Sequence, residues 1–255
     1  TQFIGKKIYY FETIDSTNEE AKRQAANGAP NGSMILSETQ TGGKGRLGRT
    51  WSSSPGDGIY FSLLLRPNDS PSEISNITLL SGLAVCNGIR EYTGCNAQIK
   101  WPNDVVIDGK KTCGILTEMS AEVDQIHFLI IGIGINVNQD KFGEDIAFKA
   151  TSLFLENGQK LHRSELLAEI LKQFEALYRL YQNHETQKLL SLYKNNCVTL
   201  SRKVSTIRNG KTLLGTAIDI LPSGELLVLG EDGKTFSINS GEVSVQGVYG
   251  ENIAL

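Results

Sequence analysis

The sequence predicts an α+β protein with a larger N-terminal domain and a small C-terminal β domain. Before Cys197, short strand-like runs alternate with segments of helical periodicity. After Cys197, short β-runs are separated by four turn dipeptides, namely Asn209-Gly210, Ser223-Gly224, Asp232-Gly233 and Ser240-Gly241. Turn signals spaced this closely indicate a small meander or barrel. We therefore expect two domains, 1–197 and 198–255.

Strands are predicted in the first domain from short apolar or alternating runs bounded by turn residues. They cover residues 7–11, 33–38, 59–65, 97–100, 105–107, 112–119 and 125–133. The dipeptide Asp108-Gly109 between 105–107 and 112–119 predicts a tight hairpin. Those two strands are therefore expected to be antiparallel neighbours.

Helices are predicted from capping patterns and from apolar stripes. The first opens at Ser16 or Thr17, where a hydroxyl can cap it and Glu19 or Glu20 follows three positions on, the pattern of a capping box. The others cover residues 71–91, 161–183 and 186–193. Ser164 is the predicted cap of the helix at 161–183, which carries the clearest apolar stripe.

Composition and charge exclude several classes of function. The formal net charge of −3 argues against a general nucleic-acid binder. Positive charge is concentrated at 44–49 and 100–111, which suits a small anionic ligand. Four scattered cysteines without a C-x-x-C pair argue against a zinc site or a disulfide framework and indicate free thiols in a reducing cytosol. We see neither a signal peptide nor a membrane-spanning run, so we expect a cytoplasmic protein without a membrane partner.

The segment 39–51 is rich in glycine and in cations. Lys44, Arg46 and Arg49 stand on a backbone with four glycines, and Trp51 closes the run. Bare peptide N–H groups and guanidinium forks are good donors for an anion, so we expect a loop that closes over one. The run formally matches G-x-G-x-x-G, but the residues after it cannot form the helix that a dinucleotide site requires. It lacks the Gly-Lys-Ser/Thr of a Walker A loop, and an exposed flexible turn remains an alternative.

A second unusual string, Lys100-Trp-Pro-Asn-Asp104, lies downstream. Pro102 forces the residue before it into an extended conformation, so a strand stops sharply and presents Asn103 and Asp104 at its end. Lys111 starts the returning strand and can face the same pocket. Ordinary interpretations stay open, because Asn-Asp is common in turns and a lysine at a strand start is usually solvated.

The following strand ends in Gly132-Ile-Gly-Ile-Asn-Val-Asn138. Two glycines at this point let a ligand approach the backbone closely. Asn136 and Asn138 can recognise amide or amine edges, with turn-forming asparagines as the alternative.

Taken in order, five motifs resemble the biotin–protein ligase (biotin–[acetyl-CoA-carboxylase] ligase) family over essentially the whole chain. They are Ser16-Thr17-Asn18; Gln40 with Gly43-Lys-Gly-Arg-x-x-Arg-x-Trp51; Lys100-Trp-Pro-Asn-Asp104; Gly109-Lys-Lys-x-x-Gly-Ile-Leu116; and Gly132-x-Gly-x-Asn136. The resemblance implies a mixed sheet with helices on one side, related to class II aminoacyl-tRNA synthetases. It also implies that the C-terminal domain is an SH3-like barrel.

The reaction implied by the resemblance has two steps. Biotin and Mg·ATP give biotinyl-5′-AMP and pyrophosphate, and biotin then passes to one lysine of a biotin carboxyl carrier protein, that of acetyl-CoA carboxylase or of another biotin-dependent carboxylase. Biotin, ATP and Mg²⁺ are thus the implied ligands. The chain resembles the form without an N-terminal DNA-binding domain, so no nucleic-acid partner is expected. Exposed sheet edges leave a homodimer open.

The resemblance also implies roles for site residues. Lys111 and Arg46 are the implied catalytic residues, with Lys111 bridging the biotin carboxyl oxygen and the α-phosphate. Biotin is implied to contact Ser16, Thr17, Asn18, Gln40, Lys44, Gly45, Arg46, Trp51, Lys111 and Gly114. ATP is implied to contact Arg46, Arg49, Trp51, Asn103, Asp104, Lys111 and Asn136, with Asp104 on the Mg²⁺ side. Trp51 is expected to cover the biotin tail or to stack on adenine.

Lys44 departs from the family pattern, in which the loop reads Gly-Arg-Gly-Arg. Lysine keeps the charge but loses the planar fork, so we expect a looser grip on the adenylate. An acyl-adenylate hydrolyses when water reaches it, so we expect 42–51 to be a lid that is mobile when empty. Two alternatives are a lipoate–protein ligase, whose Arg-x-x-Gly-Gly-Gly loop is missing, and a regulator that senses biotin without catalysis, against which Lys111 argues.

Overall fold

Two sheets organise the chain in a computed structural model that describes residues 1–68, 74–122, 126–208, 210–239 and 241–253. The first has seven strands in the order β1-β2-β3-β7-β6-β5-β4. Its strands are β1 (Ile8–Ile14), β2 (Ser33–Gln40), β3 (Gly58–Leu65), β4 (Gln98–Lys100), β5 (Asp104–Ile107), β6 (Lys110–Ala121) and β7 (Ile126–Asn136). The β1–β2 pair is parallel and the other pairs are antiparallel. The sheet is therefore mixed, as expected.

Helices cover both faces of this sheet. They are α1 (Thr17–Ala26), α2 (Ile74–Thr93), α3 (Leu153–Asn157), α4 (Arg163–Gln182) and α5 (Thr186–Lys194). Strand β3 is buried along its whole length, and successive strand side chains point to opposite faces. Phe61 and Leu63 belong to the large core that α2 and α4 complete, whereas Leu64 packs with Ala21 and Ala25 of α1. The long helices share one side, as expected, while α1 covers part of the other.

The second sheet is antiparallel and has five strands in the order β11-β10-β9-β8-β12. Its strands are β8 (Lys203–Arg208), β9 (Lys211–Ile220), β10 (Leu226–Gly230), β11 (Thr235–Ile238) and β12 (Val243–Val245). The buried Trp101 ties it to the first sheet, because its indole N–H donates to the carbonyl oxygen of Gly224 at 3.0 Å. The α+β class is confirmed, and the domain boundary after 197 stays a prediction.

Local turn chemistry was predicted with mixed success. The hairpin between β5 and β6 has the expected positive φ at Asp108 (48°) and Gly109 (76°), because a tight type I′ turn requires both. Helix α4 begins at Arg163 with His162 at its N-cap, so the predicted cap at Ser164 was wrong. The predicted starts at 71–73 and at 125 lie outside the described residues.

The capping box predicted for α1 was also wrong. Ser16 occupies the N-cap, but within the described residues its side chain makes no capping hydrogen bond. The glutamates that would have completed the box have stronger partners. Glu19 pairs with Lys22 at 2.9 Å, and Glu20 pairs with Arg23 at 2.6 Å. Charged hydrogen bonds are roughly twice as strong as neutral ones, so these ion pairs hold the carboxylates away from the helix terminus.

A buried carboxylate fastens the N-terminal segment to α4. Glu175 is only 4% exposed, and it accepts the backbone N–H groups of Gln2, Phe3 and Ile4 at 2.6–3.2 Å. Burial alone would raise the pKa of Glu175, but the three N–H donors outweigh it and leave the pKa below its usual value. The ionised carboxylate therefore stabilises the fold.

We expect Glu175→Gln to lower the free energy of unfolding at neutral pH by about 1–3 kcal/mol, because the buried N–H donors lose a charged acceptor. A depressed folded pKa contributes stability above the unfolded value and loses it as the pH falls through the folded pKa. The difference between variant and parent should therefore shrink below about pH 4. Denaturant unfolding at several pH values measures it, and a pH-independent difference would contradict the account.

Candidate active site

A polar cluster lies where α1 begins beside β2 and β3. The carboxamide oxygen of Gln40 accepts the backbone N–H of Thr17 at 2.8 Å, and the Thr17 hydroxyl oxygen lies 3.1 Å from the same atom. Ser62 Oγ lies 2.8 Å from Thr17 Oγ1 and 2.6 Å from Asn18 Oδ1. A serine hydroxyl has one proton and an amide oxygen can only accept, so Ser62 donates to Asn18. The Thr17 hydroxyl donates its one proton to Gln40. Its oxygen can still accept from a polar ligand, and the amide N–H groups of Gln40 can donate to one.

The side chain of Asn18 is fixed at both ends of its amide. Its Nδ2 donates to Glu118 Oε2 at 2.6 Å. Its Oδ1 lies against Gly132, where a Cβ atom would sit only 2.2 Å away. Gly132 was expected to let a ligand approach the backbone, but the side chain that approaches it is Asn18. Ser62 and Glu118 were missed from the sequence, since each looks like an ordinary strand residue.

The glycine-rich segment 42–51 folds into a compact loop, which we call the lid. Its base is closed by the N–H of Gly45 donating to the carbonyl oxygen of Arg49 at 2.7 Å and that of Trp51 donating to Gly43 at 2.9 Å. At its tip Leu47 has a φ of 56° and is 69% exposed. Lys44 contacts Glu19 of α1 at 2.6 Å, so the lysine in place of the usual arginine anchors one side of the lid.

Trp51 places its indole over two facing glycines of the sheet. Gly114 and Gly134 are register partners in β6 and β7. A Cβ atom would stand 2.7 Å from the ring at Gly114 and 2.5 Å at Gly134. The buried indole Nε1 has no acceptor among the described residues. A buried donor of this kind is costly without a partner.

The second cluster joins the lid to the β5–β6 hairpin. Arg46 Nη1 donates to Asn103 Oδ1 at 2.5 Å. Asn103 Nδ2 donates in turn to Asp104 Oδ1 at 3.2 Å, and Lys111 Nζ lies 2.7 Å from the same oxygen. Lys111 Nζ also lies 5.6 Å from the centre of the Trp51 ring. The lid and the hairpin therefore converge on one place, as the sequence predicted.

Asp104 is the electrostatic centre of this cluster. Burial would raise its pKa, but Lys111 and Lys100 outweigh that effect and hold the pKa below its usual range. Lys100 is itself buried and donates to the carbonyl oxygen of Val243 at 2.7 Å. Burial lowers the pKa of Lys100. The site thus concentrates cations around one carboxylate, and an incoming anion would meet net positive charge.

A resident metal ion does not fit the residues present. Across the described ranges no group of three or more His, Cys, Asp and Glu side chains could hold one. Both oxygens of Asp104 are engaged, Oδ1 by Lys111 and Oδ2 by the hydroxyl of Tyr249 at 2.7 Å. The Mg²⁺ role implied for Asp104 therefore stays a prediction.

The C-terminal sheet contributes to the lid. Arg49 Nη2 contacts both carboxylate oxygens of Glu242 at 2.6 Å, and Arg46 Nη2 donates to the carbonyl oxygen of Gly241 at 2.9 Å. The hydrogen bond from Arg49 lowers the pKa of Glu242. Sequence reasoning assigned Arg46 to biotin, ATP and catalysis and Arg49 to ATP, and it did not foresee these partners, which lie more than 190 positions along the chain.

Two further residues of the expected site are buried. Asn136 is buried at the end of β7, and its Nδ2 donates to the carbonyl oxygen of Thr151 at 3.0 Å. Ser16 is buried at the start of α1 beside the polar cluster. Their implied ligand contacts remain predictions.

We expect trypsin to cut the lid at its basic residues in the empty protein, and we expect biotin plus Mg·ATP to slow that cut. The anchors at Lys44 and Arg49 are exposed ion pairs, and such pairs contribute only about 0–1 kcal/mol each. Cleavage after the exposed Lys211 in the second sheet serves as the control site, because it should not respond to ligand. Equal protection at both sites, or at neither, would contradict a ligand-dependent lid.

Comparisons with known proteins identify the class to which this site belongs. Residues 10–136 match the model of the "Biotin/lipoate A/B protein ligase family", and residues 200–246 match the "Biotin protein ligase C terminal domain". The bifunctional ligase/repressor BirA of Bacillus spizizenii is 39% identical over 235 residues, which cover 91% of this chain and 72% of that protein. The biotin–[acetyl-CoA-carboxylase] ligase of Mycobacterium tuberculosis is 31% identical, over 89% of this chain and 85% of that protein.

A solved structure gives the same answer. The biotin protein ligase of Aquifex aeolicus in complex with biotin and ATP superposes with a TM-score of 0.79 at 32% identity, over 94% of this chain and 99% of that one. The chain belongs to the biotin protein ligase family, and the resemblance seen in its motifs is confirmed.

Proposed function

We propose that the protein activates biotin with Mg·ATP to biotinyl-5′-AMP and then transfers the biotinyl group to a lysine of a biotin carboxyl carrier protein. In the first step the carboxylate of biotin attacks the α-phosphorus and pyrophosphate leaves. In the second step the ε-amine of the acceptor lysine attacks the acyl carbon and AMP leaves. No side chain of the enzyme needs to act as a nucleophile, since biotin itself attacks.

The observation that carries this proposal is the continuous contact from Arg46 through Asn103 and Asp104 to Lys111. Attack of a carboxylate on a phosphate brings two anions together, and cations fixed in advance lower that barrier. An ammonium has three protons, and Asp104 accepts one of them. The other two are available to a carboxylate oxygen and a phosphate oxygen at the same time.

The polar cluster around Thr17 and Gln40 supports biotin at the other end of the site. The ureido ring of biotin is neutral and carries both N–H donors and a carbonyl acceptor. A threonine hydroxyl and a carboxamide can satisfy both kinds of group. Ser62 and Glu118 keep the neighbouring Asn18 from rotating, so the cluster has one geometry. We propose that Trp51 covers the ligand between the two clusters and keeps water from the adenylate.

We propose acetyl-CoA carboxylase, or another biotin-dependent carboxylase, as the source of the acceptor domain. The name of the Mycobacterium tuberculosis relative supports this choice. The net charge of −3 supports a chain without a nucleic-acid partner. For a homodimer we propose the open edge of β1, where Ile8 and Tyr10 are 49% and 54% exposed.

The four cysteines are all free, which supports a reducing compartment such as the cytoplasm. Within the described residues, no helix has the length and apolarity to cross a membrane.

The proposal is tested by incubating the protein with α-labelled ATP, biotin and a purified carrier domain. We expect biotin-dependent pyrophosphate release, a labelled adenylate that stays bound, and acceptor modification at a single lysine. Lipoate in place of biotin tests the first alternative, and it should not support turnover. Tight biotin binding without pyrophosphate release would instead identify a biotin sensor and overturn the proposal.

A further inference from the structure

The segment that follows the C-terminal sheet packs against the hairpin that carries Lys111. After β12 the backbone N–H of Tyr249 donates to the carbonyl oxygen of Gly109, the turn residue of the hairpin, at 2.8 Å. The contact between the two backbones is close, since a Cβ atom on Gly109 would lie 2.8 Å from the carbonyl oxygen of Gly247. The segment after β12 therefore holds the turn of the hairpin in place.

Tyr249 adopts a backbone conformation that a bulky side chain rarely takes. Its φ is 59°, in the left-handed region that residues other than glycine rarely adopt. Strained residues of this kind persist where the surrounding structure fixes them, and they cluster at functional sites. At Tyr249 this conformation places the phenol in the cluster around Asp104.

The phenol hydroxyl provides a hydrogen bond to the second oxygen of the Asp104 carboxylate. Tyr249 donates its O–H to Asp104 Oδ2 at 2.7 Å, while Lys111 contacts Oδ1 at 2.7 Å. Lys100 Nζ lies 4.9 Å from the centre of the Tyr249 ring, which fixes the ring from its face. Lys111, the lysine implied in catalysis, thus contacts Oδ1 of Asp104, and Tyr249 of the C-terminal segment contacts Oδ2.

We propose that Tyr249 is a positioning residue for adenylation, which acts by fixing the Asp104 carboxylate and through it the Lys111 ammonium. The inference rests on the proposed function, in which Lys111 bridges the biotin carboxylate and the α-phosphate. Without the phenol, the contacts from Lys111 and Asn103 both go to Oδ1, so the carboxylate can rotate about that oxygen and carry the ammonium with it. A carboxylate held at both oxygens presents the ammonium in one place, and it keeps a partner when Lys111 turns towards a phosphate.

The test uses Tyr249→Phe, which removes the hydroxyl and keeps the ring. Tyr92→Phe is the matched control, because Tyr92 also donates its O–H to a carboxylate, that of Glu165, at 2.7 Å on an exposed surface. We expect kcat for adenylate formation to fall roughly 5- to 20-fold in Tyr249→Phe, as for a lost hydrogen bond to a charged group that acts indirectly. KM for biotin and for ATP should stay within about twofold. Tyr92→Phe should match the parent protein.

A double-mutant cycle with Asp104→Asn separates positioning from general destabilisation. Tyr249→Phe should add little to the loss already caused by Asp104→Asn, because both changes act through one contact. An independent further loss, or an unchanged kcat in Tyr249→Phe, would overturn the inference.

A second measurement works without turnover. Acetic anhydride labelling followed by mass spectrometry compares Lys111 with the exposed Lys203, and Tyr249→Phe should change the labelling rate of Lys111 alone. An unchanged rate would contradict the contact chain. A parent protein that forms no adenylate would overturn the proposed function, while the labelling result would still decide whether Tyr249 controls Lys111.

Discussion

Replacement of Lys111 by alanine is expected to slow the formation of biotinyl-adenylate by about 10²–10³-fold, the loss typical of removing one preorganised charge-stabilising donor. Biotin binding should persist, because the Thr17 and Gln40 cluster lies on other elements. The fold should persist as well, since Tyr249 and Lys100 still stabilise the Asp104 carboxylate. Pyrophosphate release and biotin titration measure the two effects separately.

Lys110→Ala is the control for that experiment. Lys110 is the adjacent residue of the same strand and is exposed, so its removal changes the charge of the hairpin without touching Asp104. Unchanged pyrophosphate release in the Lys111 variant would remove Lys111 from the mechanism. Equal losses in both variants would point to a general charge effect.

The second large effect is expected from Gly134→Ala. An added Cβ atom would stand 2.5 Å from Trp51 Cε2, a distance that forces the indole and the lid to shift. Overpacking of this kind costs about 1–3 kcal/mol, which corresponds to a roughly 5- to 160-fold loss in kcat/KM for adenylation if the whole cost falls on the closed state. The loss should come with faster tryptic cleavage of the lid in the presence of ligand.

Gly82→Ala provides the matched control. Its added Cβ atom would meet Ile99 at 3.6 Å, an ordinary contact, on the helix side of the sheet. Both variants remove a buried glycine, but only one displaces Trp51. A fully active Gly134→Ala protein would show that the indole does not need its place over the glycine pair.

The parts of the site that could be predicted from the sequence are local ones. The Asp108-Gly109 turn brings Asp104 and Lys111 onto adjacent strands, because a two-residue turn leaves little freedom of register. The density of glycine and cations at 42–51 predicted a loop for anions, since almost nothing in that run could be buried. Residue chemistry and short spacing were sufficient for both.

The parts that could not be predicted depend on contacts between distant segments. Glu242 precedes β12 and Tyr249 follows it, far along the chain from the residues that they contact. Short β-runs carry no information about which loop they will face. Ser62 and Glu118 became recognisable only when the register of β3 and β6 placed them against Asn18. The capping box failed for a related reason, because the glutamates found ion-pair partners that the helix pattern does not reveal.

A structure with a non-hydrolysable biotinyl-adenylate analogue tests most directly whether the lid and the hairpin contact the same phosphate group. We predict Lys111 Nζ and the Arg46 guanidinium within about 3 Å of oxygens on the same phosphate group, with Trp51 closed over the ligand and Asp104 still bonded to Tyr249. A bound analogue whose phosphate is contacted by only one of these two cations would contradict the account.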